Sequence, residues 1–169
     1  MNDDLVIRRS RTIAAPVAEV WALMAAPANL ERAHPFCRRN LVQVWPGEEA
    51  RDSIEYYNGL VLNRRFRRWL DGVGYDLEIG RGSGKDAEVR WRVEPAATGA
   101  LLAIEIRPDL ARIRPRWPAW LRRLVLRRVI ASQLGEYLDA VLQGFDHCIT
   151  TGQPVRRNQF GPHPLFSPK

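Results

Sequence analysis

The sequence is poor in cysteine and histidine, almost without lysine, and free of long apolar runs. Cys37 and Cys148, its two cysteines, are too far apart to match any metal-ligand spacing. They are expected to be reduced, partly buried thiols. Three histidines, His34, His147 and His163, are scattered without a carboxylate or second histidine at ligand distance, which argues against a metal site. No apolar stretch approaches the roughly 20 residues that a membrane span requires. The opening, MNDDLVIRRS, begins with an acidic pair and lacks the apolar centre of a signal peptide. These absences point to a cytoplasmic protein that needs neither metal nor cofactor.

What is present suits a folded domain. The chain has 169 residues, 46% of them hydrophobic, enough for one domain with its own core. Its formal charge of +7 is concentrated in one place. Residues 107–128, RPDLARIRPRWPAWLRRLVLRR, hold eight arginines and one aspartate, so the rest of the chain is neutral. Arg114, Arg116, Trp117, Trp120, Arg122, Arg123, Arg127 and Arg128 form a candidate patch for an anionic partner. Aromatics at headgroup level with arginines on phosphates would suit a membrane surface, so a peripheral position at the inner membrane is one expectation. An acidic protein is another, and a solvated helix face is the plain structural reading. No nucleic-acid motif accompanies the patch, which argues against that partner.

The hydrophobic pattern gives an element order. Residues 4–13 read as a strand. Pro16 then opens a helix with Val17, Val20, Trp21 and Met24 on one stripe, and residues 27–35 form a second short helix between prolines. Six strand-like runs follow at 38–45, 50–57, 60–70, 73–80, 86–94 and 100–107, divided by PGEE, NG, DG, GSG and AATG. Asn58-Gly59 and Asp71-Gly72 are read as two-residue hairpin turns, which require positive φ at both positions. Residues 118–150 read as one long helix, with Leu121, Leu124, Val125, Ala131, Leu134, Leu138, Val141, Leu142 and Phe145 in a 3.6-residue period. A Pro-rich, aperiodic tail follows at 152–169, expected to pack on the domain or on a partner.

The run LNRRFRRWL sets a problem, because alternate residues of a strand face opposite sides. Pairing Leu70 with Val73 puts Arg68 opposite Tyr75, Phe66 opposite Leu77 and Arg64 opposite Ile79 on the apolar face. Continuing through the next two hairpins pairs Leu77 with Val89, Tyr75 with Trp91, and Trp91 with Ile104. The outer face then carries a charge ladder, Arg67–Asp76–Arg90–Glu105. Arg64 is left on the apolar side, where an unpaired guanidinium is very costly. Glu55 is its expected partner if it lies opposite Leu62; an outward-turned Glu55 would leave Arg64 to anchor a ligand's carboxylate, phosphate or enolate.

The stretches TIAAPVAEVWALMAAPANLERAHP, YYNGLVLNRRFRRWLDGVGYDLEIG and LGEYLDAVLQGFDHCITTGQPV resemble the START/Bet v 1-like (SRPBCC) superfamily, in its polyketide cyclase/dehydrase-like bacterial branch. The resemblance covers roughly residues 4–150, within a single domain taken as 1–151. It implies an α+β helix-grip fold: a curved antiparallel β-sheet of about seven strands around a long C-terminal helix, with two short helices after the first strand. It also implies an apolar cavity between sheet and helix. The register supplies candidate lining residues: Arg64, Phe66, Tyr75, Leu77, Val89, Trp91 and Ile104 from strands, Gln133, Leu134 and Tyr137 from the helix, and Leu30 and His34 from the short helices. His34 could act as a general base, its free pKa being ~6.5, or simply cap a helix. No catalytic motif of the family is present.

Three functions fit these observations. The first is a carrier of an apolar or aromatic small molecule or lipid, with an anionic group on that molecule as one option. The second is a cyclase/dehydratase-like enzyme acting in the same cavity. The third is a membrane-associated maturation or chaperone-like factor, with a homodimer as a further option. A paired Arg64 in a filled core would favour the scaffold role. An open cavity with a free Arg64 would favour a ligand.

Overall fold

The computed structural model describes residues 5–113, 118, 120 and 127–169. Strand β1 (Ile7–Ile13) leads into two short helices, α1 (Val17–Met24) and α2 (Asn29–Ala33). A meander follows: β2 (Cys37–Val44), β3 (Arg51–Tyr56), β4 (Val61–Leu70), β5 (Gly74–Gly80), β6 (Ala87–Ala96) and β7 (Gly99–Pro108). A short turn of helix, α3 (Leu110–Ile113), was not anticipated. Helix α4 (Arg127–Thr151) ends the domain. It covers the later part of the helix expected over 118–150; residues 119 and 121–126 lie outside the described residues.

All strand pairs are antiparallel, in the order β1-β7-β6-β5-β4-β3-β2. The first strand joins the sheet beside the last, so the sheet is open, with β1 and β2 at its two edges. Helix α4 buries Ile130, Leu134, Leu138, Val141, Leu142, Phe145 and Cys148, the stripe its periodicity demands. Two ion pairs tie its outer side to the edge strand: Arg9 to Asp139 at 3.2 Å and Arg11 to Asp146 at 2.6 Å. Helix α2 crosses α4 closely at Gly144, where an added Cβ would lie 2.0 Å from the Ala33 carbonyl oxygen.

From β5 to β7 the register is as read from the sequence: Tyr75 opposite Trp91, Leu77 opposite Val89, Trp91 opposite Ile104. Two hairpins differ, both for the same reason. Each turn contains one residue more than the two-residue form, and only its glycine takes positive φ, Gly59 at +85° and Gly72 at +72°. In the β3–β4 hairpin the extra residue pairs Glu55 with Val61 and Asp52 with Arg64. A one-residue slip exchanges the two faces. Glu55 therefore points outward, to Arg38 at 3.4 Å, and is not the partner of Arg64. In the β4–β5 hairpin Leu70 pairs with Gly74, Trp69 with Tyr75 and Arg68 with Asp76. A bulge at Arg67 then absorbs the offset, and Phe66–Leu77 and Arg64–Ile79 pair as expected. Arg68 is accordingly exposed and Trp69 turns inward, the reverse of the expected alternation. The outer ladder keeps Asp76–Arg90–Glu105, while Arg67 pairs with Glu78 at 2.8 Å.

Candidate ligand-binding site

The inner face of the sheet supplies Leu77, Val89, Trp91, Ile104 and Ile106; α4 supplies Ile130, Leu134, Leu138 and Val141. Between them is a cavity of about 480 Å3, within the range of small-molecule sites. Leu30, His34, Tyr56, Arg64 and Tyr137 line its inner part. Exposed Arg81, Arg112, Val129 and Leu165 line it where it meets solvent.

Of the residues expected from sequence, Leu30, His34, Arg64, Leu77, Val89, Trp91, Ile104, Gln133, Leu134 and Tyr137 line this cavity. Phe66 and Tyr75 do not. They face inward, but at the far end of the sheet, where Trp21, Trp45 and Trp69 fill the space around them. Trp69 packs 5.3 Å from Tyr75 and 5.2 Å from Trp45, ring centre to ring centre. That end is packed core, not cavity.

Arg64 is buried, with 4% of its surface exposed. Its Nε donates to Asp52 Oδ1 at 2.7 Å and its Nη2 donates to Asp52 Oδ2. The two-point pairing of guanidinium with carboxylate is the strongest form of this contact. Asn40 Nδ2 donates to the same carboxylate at 3.0 Å. Burial disfavours the Arg64 cation, but the Asp52 carboxylate outweighs it and holds the guanidinium firmly charged. Among the described residues Nη1 has no acceptor, although the side chain reaches the cavity. The pair is neutral as a whole and still offers N–H groups to a ligand.

His34 sits beside this pair and is not a base. It is 4% exposed. The Phe36 backbone N–H donates to its Nδ1 at 3.2 Å. An amide N–H can only donate, so the ring proton lies on Nε2, which donates to Tyr137 Oη at 2.8 Å. Burial, reinforced by the positive charge of Arg64, lowers the imidazole pKa to about 3. Of the two roles the sequence left open, general base or capping residue, the hydrogen bonds do not support the base: His34 is a neutral, oriented donor.

Tyr137 Oη lies 3.0 Å from Tyr56 Oη. The two hydroxyls carry two protons and share one bond. Whichever donates to the other, one phenol proton has no acceptor among the described residues. Burial raises both phenols, Tyr137 to about 12 and Tyr56 well above its ordinary value, so both stay protonated. The inner end thus holds unused donors on Arg64 and the tyrosine pair, while Asp52 and His34 Nδ1 are already engaged.

Sequence reasoning missed Asp52, Tyr56, Asn40 and Phe166. Asp52 was legible in principle: in RDSIEYY it shares the phase of Ile54 and Tyr56, and a three-residue turn sets it opposite Arg64. Of the basic patch, Trp120 is 66% exposed and Arg128 is exposed. Arg114, Arg116, Trp117, Arg122 and Arg123 lie outside the described residues. Cys37 and Cys148 are buried free thiols, and burial pushes Cys37 up to about 12. Among the described residues no group of three or more metal-ligating side chains assembles, and no helix is long and apolar enough to cross a membrane.

A curved sheet gripping a long helix over a largely apolar cavity defines a helix-grip domain. The chain belongs to the polyketide cyclase/dehydrase and lipid transport family, whose model matches residues 4–143. That family generally binds small hydrophobic ligands. Solved structures share the fold at low identity. A protein of unknown function from Staphylococcus aureus superposes with a TM-score of 0.70 at 12% identity, over 89% of this chain and 96% of that one. A START superfamily protein from Mycobacterium smegmatis gives 0.67 at 11%, over 88% and 99%. A polyketide-cyclase-like protein from Corynebacterium glutamicum gives 0.59 at 14%, over 90% and 95%. Among curated protein sequences none matches this chain.

Proposed function

We propose that the chain is a binding protein or carrier for an apolar or aromatic small molecule. An oxygen acceptor on that molecule would sit at Arg64 and the Tyr56–Tyr137 pair. One observation carries the reading: a cavity of about 480 Å3 whose walls are mostly apolar and whose inner end keeps hydrogen-bond donors without acceptors among the described residues. Buried donors without partners are costly, and a ligand oxygen would satisfy them. A carboxylate would suit them. So would a neutral carbonyl, because Asp52 already balances the charge of Arg64. The pairing of Arg64 is what the scaffold reading expected, with Asp52 in place of Glu55, but the pair lies beside an open cavity rather than in a filled core, which supports the ligand reading.

Native mass spectrometry of freshly purified protein tests the proposal, followed by identification of whatever denaturation releases. The expected result is a stoichiometric lipid, aromatic acid or aromatic ketone. An empty protein that also takes up no such compound on titration overturns it.

The same donors favour a second reading, a cyclase/dehydratase acting in the cavity. They could polarise a substrate carbonyl. His34 could not abstract a proton, since its one free lone pair already accepts from a backbone amide. Aromatisation of an added poly-β-ketone, followed by absorbance, tests this reading. No turnover above the buffer rate leaves the carrier.

A further inference from the structure

The family match ends at residue 143, yet part of the cavity wall comes from beyond it. After α4, residues 152–169 fold back across the domain. Val155 N–H donates to the Arg32 carbonyl at 2.8 Å, and Asn158 N–H donates to that of Pro35 at 3.1 Å. The last residues form a small clasp, in which His163 and Ser167 exchange backbone hydrogen bonds. Two elements hold the clasp. Asn58, in the β3–β4 turn, donates its Nδ2 to the Leu165 carbonyl at 2.8 Å and its backbone N–H to that of Phe166 at 3.2 Å. From α4, the Gln133 carbonyl accepts from His163 Nε2 at 2.8 Å. The clasp therefore bridges sheet and helix beside the cavity, and Leu165 and Phe166 line it.

The ring of Phe166 lies 4.5 Å from that of Tyr56 and 4.6 Å from that of Tyr137. These are the residues whose hydroxyls hold the unused proton. Resting on the ligand-binding reading above, we infer that the C-terminal clasp completes the binding site and that Phe166 determines its specificity. The ring limits the width of a ligand at the tyrosine pair. A shared family domain could also change its ligand by changing an appended segment, with the cavity walls left intact.

The test compares the full-length protein with Phe166→Ala and Phe166→Leu, using three fluorescent acids as probes: 2-naphthoate, anthracene-2-carboxylate and pyrene-1-carboxylate. Each carries an oxygen acceptor for the inner donors, and ring size is the variable. Phe166→Ala is expected to shift the pyrene-to-naphthalene affinity ratio about tenfold or more towards pyrene, the scale of a pocket gaining or losing a small apolar group. Phe166→Leu keeps the clasp packed and should shift the ratio in the same direction by less. A structural role alone would weaken all three probes together and leave the ratio unchanged. An unchanged ratio in either variant, with circular dichroism matching the native chain, overturns the inference. Uptake of none of the probes by the native chain or by either variant overturns the binding reading on which it rests.

Discussion

Arg64 and Asp52 show how much depends on a partner. Asp52→Ala would leave a buried guanidinium without its counter-charge, and a loss of about 3–5 kcal/mol is expected in urea unfolding. The double change Arg64→Met, Asp52→Leu removes both charges and should recover most of that loss; Asn40 Nδ2 would forfeit one acceptor but retain the Ser53 carbonyl at 3.1 Å. Double-mutant stability no better than that of Asp52→Ala would refute the account. His34 gives a pH signature. Its pKa falls from 6.5 in the unfolded chain to about 3 in the folded one, so below 6.5 the unfolded state binds a proton that the folded state refuses. The contribution is fully present above pH 6.5 and is lost towards pH 3, with a limiting slope of ~1.4 kcal/mol per pH unit. Carboxylates titrate there too, so the comparison is with His34→Phe, whose stability should fall less steeply between pH 6.5 and 4.5. Parallel curves would remove His34 as the cause. That Arg64 faced inward was legible in the alternation of its strand. That His34 was a donor was not, because the amide that orients it, Phe36 N–H, is fixed by a turn rather than by composition.

Helices and strands were legible where apolar periodicity ran uninterrupted, as along α4 and through β5 to β7. Errors gathered at two turns, where Asn58-Gly59 and Asp71-Gly72 admit either two-residue or three-residue connections. A difference of one residue there moved Glu55 out and Asp52 in. In the next hairpin the bulge at Arg67 cancelled the same difference within a few residues, which changed the faces of residues 68–70 alone. Two glycines of α4 offer a contrasting test. Alanine favours a helix over glycine by about 1 kcal/mol. Gly135→Ala should therefore be neutral or stabilising, since its new methyl would meet only the mobile end of Arg9. Gly144→Ala should destabilise despite the same propensity, because its methyl would meet the Ala33 backbone oxygen at 2.0 Å. A thermal unfolding midpoint for Gly144→Ala that does not fall below that of the native chain would contradict the close packing of α2 on α4.

Across the whole molecule, the order of elements and their resemblance to a known superfamily were enough to anticipate the fold. The cavity's extent was less accessible, because the aromatic cluster that closes one end depends on an inward Trp69, and the clasp on a tail with no periodicity. The charge distribution makes its own prediction. With the +7 of the chain gathered in residues 107–128, vesicles of anionic lipid should retain the protein at low ionic strength and release it as salt is added. A flotation assay showing no retention at low salt would dismiss a membrane partner. The cavity should respond differently to salt. A guanidinium matched by a carboxylate acts outward as a dipole, and the field of a dipole fades with distance faster than that of a lone charge. A ligand would feel the inner end only on contact, where mobile ions cannot intervene. Ionic strength could thus detach the protein from a surface without emptying it, making transport and release separately adjustable.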